Sequence, residues 1–247
     1  MKPIIIAFLL CNICRTLPAL AQTPDKEKIM AAMQALARQY AGKKNLAFSI
    51  SYHYAMEDQP GVYLDSLKGR FMLNGDRYRY SLDSTEFIGS KELSVVLFKS
   101  DKMIYLAKPS KIAQMNNPMA MLDSLLWKKE GVESHIEETA GQQKISLLFK
   151  PGGPVKRVEY LIDKSSGLVT RIINTIDSRQ LYDPSVQSKI QGVTSYVVVE
   201  AEFGNYLEDA FPDSDLDPGS VVKKLNGQYI AQAPYGSYKI FLANPDL

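Results

Sequence analysis

From Leu46 onward the chain is written with a period of two. Leu46, Phe48, Ile50, Tyr52 and Tyr54 alternate with Ala47, Ser49, Ser51 and His53. Successive side chains of a strand point to opposite faces, so this run predicts a strand with one apolar side. Further strands are expected at Val62 to Leu73, Arg77 to Ile88, Leu93 to Phe98, Met103 to Leu106 and Val132 to Glu138. Others follow at Lys144 to Phe149, Val155 to Ile162, Leu168 to Ile176 and Val193 to Tyr206, with two short ones around Asn226-Gly227 and Gly236. Asn74-Gly75-Asp76 reads as a hairpin turn, because Asn-Gly tolerates the positive φ that tight hairpins need. Gly152-Gly153-Pro154 and Lys164 to Gly167 are turns of the same kind. Pro212 to Gly219 reads as an acidic loop. Connections of hairpin length join neighbouring strands antiparallel, and no parallel crossover is evident.

Two helices interrupt the pattern. Thr23-Pro24 supplies a cap and a first-turn proline, and Ile29, Met33, Leu36 and Tyr40 then recur at helical spacing up to Gly42. Asn117-Pro118 opens a second, with Met119, Leu122, Leu125, Leu126 and Trp127 as its apolar side. Two helices against about ten strands predict an α+β fold. Its expected form is a curved antiparallel sheet, an unclosed β-barrel, with helices covering the concave face.

The first 21 residues have a different texture. Lys2 is followed by an apolar run from Ile4 to Cys11 and a small-residue site at Ala19-Leu20-Ala21. That is the layout of a secretory signal peptide cleaved after Ala21, and the run is shorter than the ~20 residues of a spanning helix. The expectation is a periplasmic or otherwise exported protein, soluble after cleavage, with residues 22–247 forming a single domain. The residues before Cys14 and Cys11 are Ile13 and Leu10, not the small residues that precede a lipidated cysteine. Losing Lys2 and Arg15 takes Lys+Arg from 29 to 27, equal to the 27 Asp+Glu. A neutral product has no global field to attract nucleic acid or an anionic membrane. Both cysteines lie in the leader, so the remainder has no thiol for a disulfide, metal site or nucleophile.

Chemistry-bearing motifs are sparse. His53 sits on the polar side of a strand, and His135 lies among Glu133, Glu137 and Glu138 without the tight clustering of a zinc or iron site. Gly-x-Ser-x-Gly is absent, and Gly152-Gly153 leads into a strand, not a helix that could cradle phosphate. Asp213, Asp215 and Asp217 alternate but lack the glycine and distal glutamate of a calcium loop. No catalytic residue, metal or cofactor is expected. The 14 tyrosines gather in strands, as ordinary strand preference or as the polar-tipped lining of an apolar cavity.

The order of these pieces resembles the periplasmic lipoprotein carrier and receptor superfamily of LolA and LolB, from about Asp25 to Phe211. The resemblance lies in Gly69-Arg70-Phe71-Met72-Leu73 turning into Tyr78-Arg79-Tyr80, and in the hairpin from Val95 to Tyr105. It continues in the helix from Asn117 through Leu122, in Leu147 to Pro151, in Val158 to Asp163 and in Val198 to Tyr206. Such proteins are unclosed barrels with a helical lid over a hollow for acyl chains. The chain departs from the pattern at Asn74-Gly75-Asp76, where a basic-proline turn is usual. It departs again at Tyr105, where tryptophan is usual, and in a longer tail beyond Pro212.

The resemblance implies a non-enzymatic carrier or binding protein for lipid acyl chains or lipoproteins. The alternation then assigns the lining to Phe48, Ile50, Tyr52, Phe71, Leu73, Tyr78 and Tyr80, under a lid carrying Met119, Leu122 and Trp127. A second reading is a cell-envelope structural or interaction module with a solid core, whose sheet and tail dock an envelope protein partner. A hydrolase is a third.

Overall fold

A computed structural model describes residues 26–109, 132–181 and 196–244. Helix α1 (Lys26–Ala41) leads into β1 (Asn45–Met56), β2 (Tyr63–Asn74), β3 (Arg77–Leu82), β4 (Thr85–Gly89), β5 (Ser94–Phe98) and β6 (Met103–Ala107). A second group follows: β7 (Glu133–Glu138), β8 (Gln142–Leu148), β9 (Val155–Asp163), β10 (Val169–Asp177) and β11 (Tyr196–Leu207). The C-terminal segment holds a single helical turn, α2 (Asp213–Leu216), then β12 (Val222–Leu225), β13 (Gln228–Ala231) and β14 (Lys239–Leu242). The expected leader and the helix from Asn117 to Trp127 lie outside the described residues.

Twelve strands form one sheet in the order β14-β6-β5-β4-β3-β2-β1-β11-β10-β9-β8-β7. The sheet is curved and open, since its edge strands β14 and β7 do not pair with each other. It consists of two meanders, β1 to β6 and β7 to β11, joined at the centre by the antiparallel pair β1–β11. A bulge near Ala47–Ser49 breaks that pairing, and Ser49 pins it by donating from Oγ to the Gly204 carbonyl at 3.1 Å.

Two expectations need correction. The run Arg77 to Ile88 is not one strand. It folds back through Asp83-Ser84 into β3 and β4, with Asp83 at a φ of 45°. Aspartate tolerates that left-handed conformation better than most residues, and a two-residue turn leaves the alternation on either side unbroken. Nor is the sheet wholly antiparallel. β14 runs parallel to β6, pairing Lys239 with Met103 and Leu242 with Leu106. No local periodicity encodes which edge a late strand joins.

Ile29, Met33 and Leu36 bury one face of α1 against Ile145, Leu147, Val158, Tyr160 and Ile162, so the helix rests on the β8–β9 end of the sheet. Its C-terminus is locked by a closed ring of three hydrogen bonds. The Val169 N–H donates to Tyr40 Oη at 3.2 Å, Tyr40 and Tyr206 join hydroxyls at 3.0 Å, and Tyr206 Oη donates to the Val169 carbonyl at 2.6 Å. Burial pushes the pKa of both phenols up, so both stay protonated. Tyr206→Phe opens the ring, strands a partly buried Tyr40 proton and carbonyl, and should cost about 1–3 kcal/mol in chemical denaturation.

A second core forms on the opposite face of β4 to β6. Ile88, Leu97, Ile104 and Leu106 are fully buried there beneath Val221 and Val222, with Tyr229, Tyr235 and Tyr238 around them. The segment after Pro212 thus packs on the sheet. It is tied along its start by Arg77 to Asp213 at 3.3 Å and by Arg79 Nη1 donating to the Asp215 carbonyl at 3.0 Å.

Candidate functional site

Strand register sorts the side chains of the sheet onto two faces. One carries charge. Arg171 pairs with Glu200 at 2.9 Å and Glu202 at 2.7 Å, Glu159 pairs with Lys144 at 2.8 Å, and Glu86 takes both Arg79 and Lys99. Glu86 is buried, which raises its pKa, but hydrogen bonds from Lys99 and Arg79 outweigh that and hold it below the usual carboxylate value.

The other face is aromatic. Register aligns Phe241 (β14), Tyr105 (β6), Val96 (β5), Phe87 (β4), Tyr80 (β3), Phe71 (β2) and Phe48 (β1) as successive cross-strand partners. Phe48 then meets Phe203 and Tyr206 on β11 at centroid distances of 5.8 and 5.3 Å. Along the row Tyr105 stacks on Phe241 at 5.0 Å, Tyr80 on Phe87 at 6.0 Å, and Phe48 on Phe71 at 5.1 Å. Aromatic pairs at 4.5–7 Å in such geometries add ~0.5–1.5 kcal/mol each beyond the area they bury. The row therefore forms a continuous apolar band across the sheet.

Glycines keep part of this surface low. Gly69 faces Ile50 and Gly89 faces Tyr78. A Cβ on Gly89 would stand 2.1 Å from Cε1 of Tyr78, so the tyrosine ring lies across the space that a side chain would fill. Tyr78 is buried there, and Ile50, Phe71 and Ala201 are buried with it. Phe48, Tyr52, Leu73, Tyr80, Phe87 and Phe203 pack around them and are half-buried. At the β14 edge Tyr105 is 36% and Phe241 39% exposed.

The seven strand residues expected from alternation (Phe48, Ile50, Tyr52, Phe71, Leu73, Tyr78 and Tyr80) thus gather in one cluster on one face. Met119, Leu122 and Trp127 lie outside the described residues. The alternation did not single out Phe87, Phe203, Tyr105 and Phe241. The Asp83-Ser84 turn reverses the parity of the alternation, so odd-numbered Phe87 faces with even-numbered Tyr80, and a single period of two read through Arg77 to Ile88 hides it.

Other candidates are less suited to a ligand. His135 is exposed, and His53 stacks on Tyr63 at 4.6 Å on the charged side. Among the described residues no three His, Cys, Asp or Glu side chains group as a metal site, and no helix is long and apolar enough to cross a membrane. A cleft of about 450 Å³ between α1 and the β9–β10 turn includes Gln39, Asp163 and Ser165 in its lining. Its carboxylate is already occupied. Hydrogen bonds from the Ser165 hydroxyl and from Ser166 hold Asp163 down at a pKa of about 2.

An open twelve-stranded sheet with one aromatic face, an opposite face that carries ion pairs and an apolar core under the C-terminal segment, and a helix packed at one end, is the architecture that the residues define. No family model matches the chain, and no curated protein matches it. Among solved structures it is similar to an uncharacterised conserved protein of Thermus thermophilus, at 8% identity over 76% of this chain and 92% of that one, with a TM-score of 0.46. Lipoprotein LppX of Mycobacterium tuberculosis is similar at 10% identity, 77% and 99% coverage and a TM-score of 0.40. A LolA superfamily protein of Nitrosomonas europaea is similar at 7% identity, 78% and 98% coverage and a TM-score of 0.34. The last carries the superfamily name that the sequence resembles.

Proposed function

We propose that this protein is an exported, non-enzymatic carrier that takes the acyl chains of a lipid or lipoprotein onto the aromatic face of its sheet. The observation that carries the reading is the cross-strand row from Phe241 to Phe48, a continuous apolar band with exposed aromatic rings at its β14 edge. Each methylene that leaves water contributes ~0.8 kcal/mol, so a chain of about a dozen carbons gives useful affinity even after its ordering cost. The leader expected in residues 1–21 supports an envelope location, and cleavage after Ala21 suits a soluble shuttle.

Native mass spectrometry after gentle purification tests the reading, with co-purified acyl lipid as the expected result. Tyr80→Asp puts a carboxylate in the middle of the row and should lower lipid and hydrophobic-dye binding at least about tenfold while the fold persists. Repeated absence of lipid together with no dye binding would overturn the carrier. Unfolding of Tyr80→Asp in a protein that binds neither would point to a solid core and to the envelope interaction module.

A further inference from the structure

The aromatic face is not uniformly greasy: besides its tyrosines it carries the uncharged polar side chains of Thr85, Ser94 and Asn174. Through the paired positions of β1 to β6, β10, β11 and β14, the charged side chains on this face are Asp65, opposite Tyr54, and Lys239, at the β14 edge. Both are exposed, and between them the face carries no charge among the described residues. What it does carry is a cluster of tyrosine hydroxyls. Tyr52 and Tyr54 stand two residues apart on β1, so both point to this side, and Tyr80 reaches over from β3. The Tyr80 hydroxyl donates to Tyr52 Oη at 3.5 Å. That leaves the Tyr52 proton and the whole Tyr54 hydroxyl without a protein partner among the described residues. Burial, with Tyr52 and Tyr54 beside it, raises the Tyr80 pKa, and burial, Tyr52 and Asp65 do the same to Tyr54. The Tyr54 and Tyr80 phenols are therefore neutral donors at physiological pH.

Donors without a cation select a particular acceptor. A carboxylate brought to this spot would lose its water with no positive charge to replace it, and would meet Asp65. An ester or amide carbonyl has a smaller desolvation cost and accepts two such hydroxyls through its two lone pairs. We propose that Tyr52, Tyr54 and Tyr80 form a carbonyl-recognising subsite, so that the ligand is an uncharged acyl ester or amide and not a free fatty acid. The carbonyl sits at the tyrosine end of β1, and the chain runs along the strand toward Phe48. Six residues separate Tyr54 from Phe48, about 20 Å of strand at ~3.4 Å per residue. That length accommodates most of an extended long-chain acyl group.

The inference rests on the carrier reading and deepens it. It is tested by equilibrium binding at pH 8 with three probes of matched chain length: methyl palmitate, palmitate and hexadecane. The wild-type chain should prefer the ester over palmitate by about tenfold or more, and the Tyr52→Phe/Tyr54→Phe/Tyr80→Phe variant should lose about tenfold of the ester's advantage over hexadecane. Phenylalanine keeps the ring and removes only the hydroxyl. Tyr229→Phe, on the opposite face, is the control that should leave the ratio where it is. Palmitate binding as tightly as the ester, or an ester-to-hydrocarbon ratio indifferent to the triple change, would overturn the subsite while leaving the carrier in place. Failure of ester and hexadecane alike would overturn the carrier and the subsite together.

Discussion

Ending the chain after Phe211 is expected to yield an aggregated or unfolded protein. The deletion strips Val221, Val222 and the tyrosines from Ile88, Leu97, Ile104 and Leu106, four side chains that are fully buried under them. Burying a large aliphatic side chain contributes ~1.5–3 kcal/mol, so even half of that contribution across four residues approaches the ~5–15 kcal/mol that stabilises a whole domain. β14 would go as well, leaving the exposed ring of Tyr105 without Phe241. Soluble yield and the thermal unfolding midpoint of the shortened chain check this. A truncated chain that melts within a few degrees of the full one would mean that the segment is dispensable to the fold and free for partner docking.

Arg79→Met should be the most damaging single change on the charged face, at about 2–4 kcal/mol. Arg79 bonds Glu86 through two nitrogens and also reaches the Asp215 carbonyl. Methionine leaves Glu86, 8% exposed at its side chain, with Lys99 alone. The loss carries a pH signature. Glu86 sits below its ordinary value of 4.5 in the folded protein, so its stabilising contribution is complete above that value and fades as pH falls through the depressed folded value. The gap between wild type and variant in denaturant melts should be full at pH 7 and narrow progressively below about pH 4.5. A gap constant from pH 7 to pH 3 would show that lost packing, not the ion pair, sets the cost.

The sequence made the strands and the inward face of β1 legible because both are local. A period of two names the face, and Asn74-Gly75-Asp76 fixes the phase of β2 against β3. The clustering of the seven expected residues on one face followed from that. Phe203 and Phe241 did not, because their places are set by pairings between distant segments, β11 on β1 and β14 on β6. The tail beyond Pro212 looked like an appendage for the same reason. Val221 and Val222 are two apolar residues with no period, and their value appears only when Ile104 and Leu106 lie beneath them. The hydroxyl cluster was half visible. Tyr52 and Tyr54 are two apart in sequence, but Tyr80 joins them through the β2–β3 register.

The place of β1 has a consequence in time. As a chain emerges amino-terminus first, β1 appears almost at once, yet its partner β11 comes roughly 150 residues later, as with Ser49 and Gly204, 155 apart. β6 waits in the same way for β14. Until those late strands arrive, the first meander stands with two unfilled edges, and the loops to be closed are among the longest that a chain of this size can have. Such topologies fold on the scale of milliseconds to seconds, not microseconds. Through that interval the aromatic band of the finished sheet is an open sticky ribbon, and newly made copies must be kept from meeting one another.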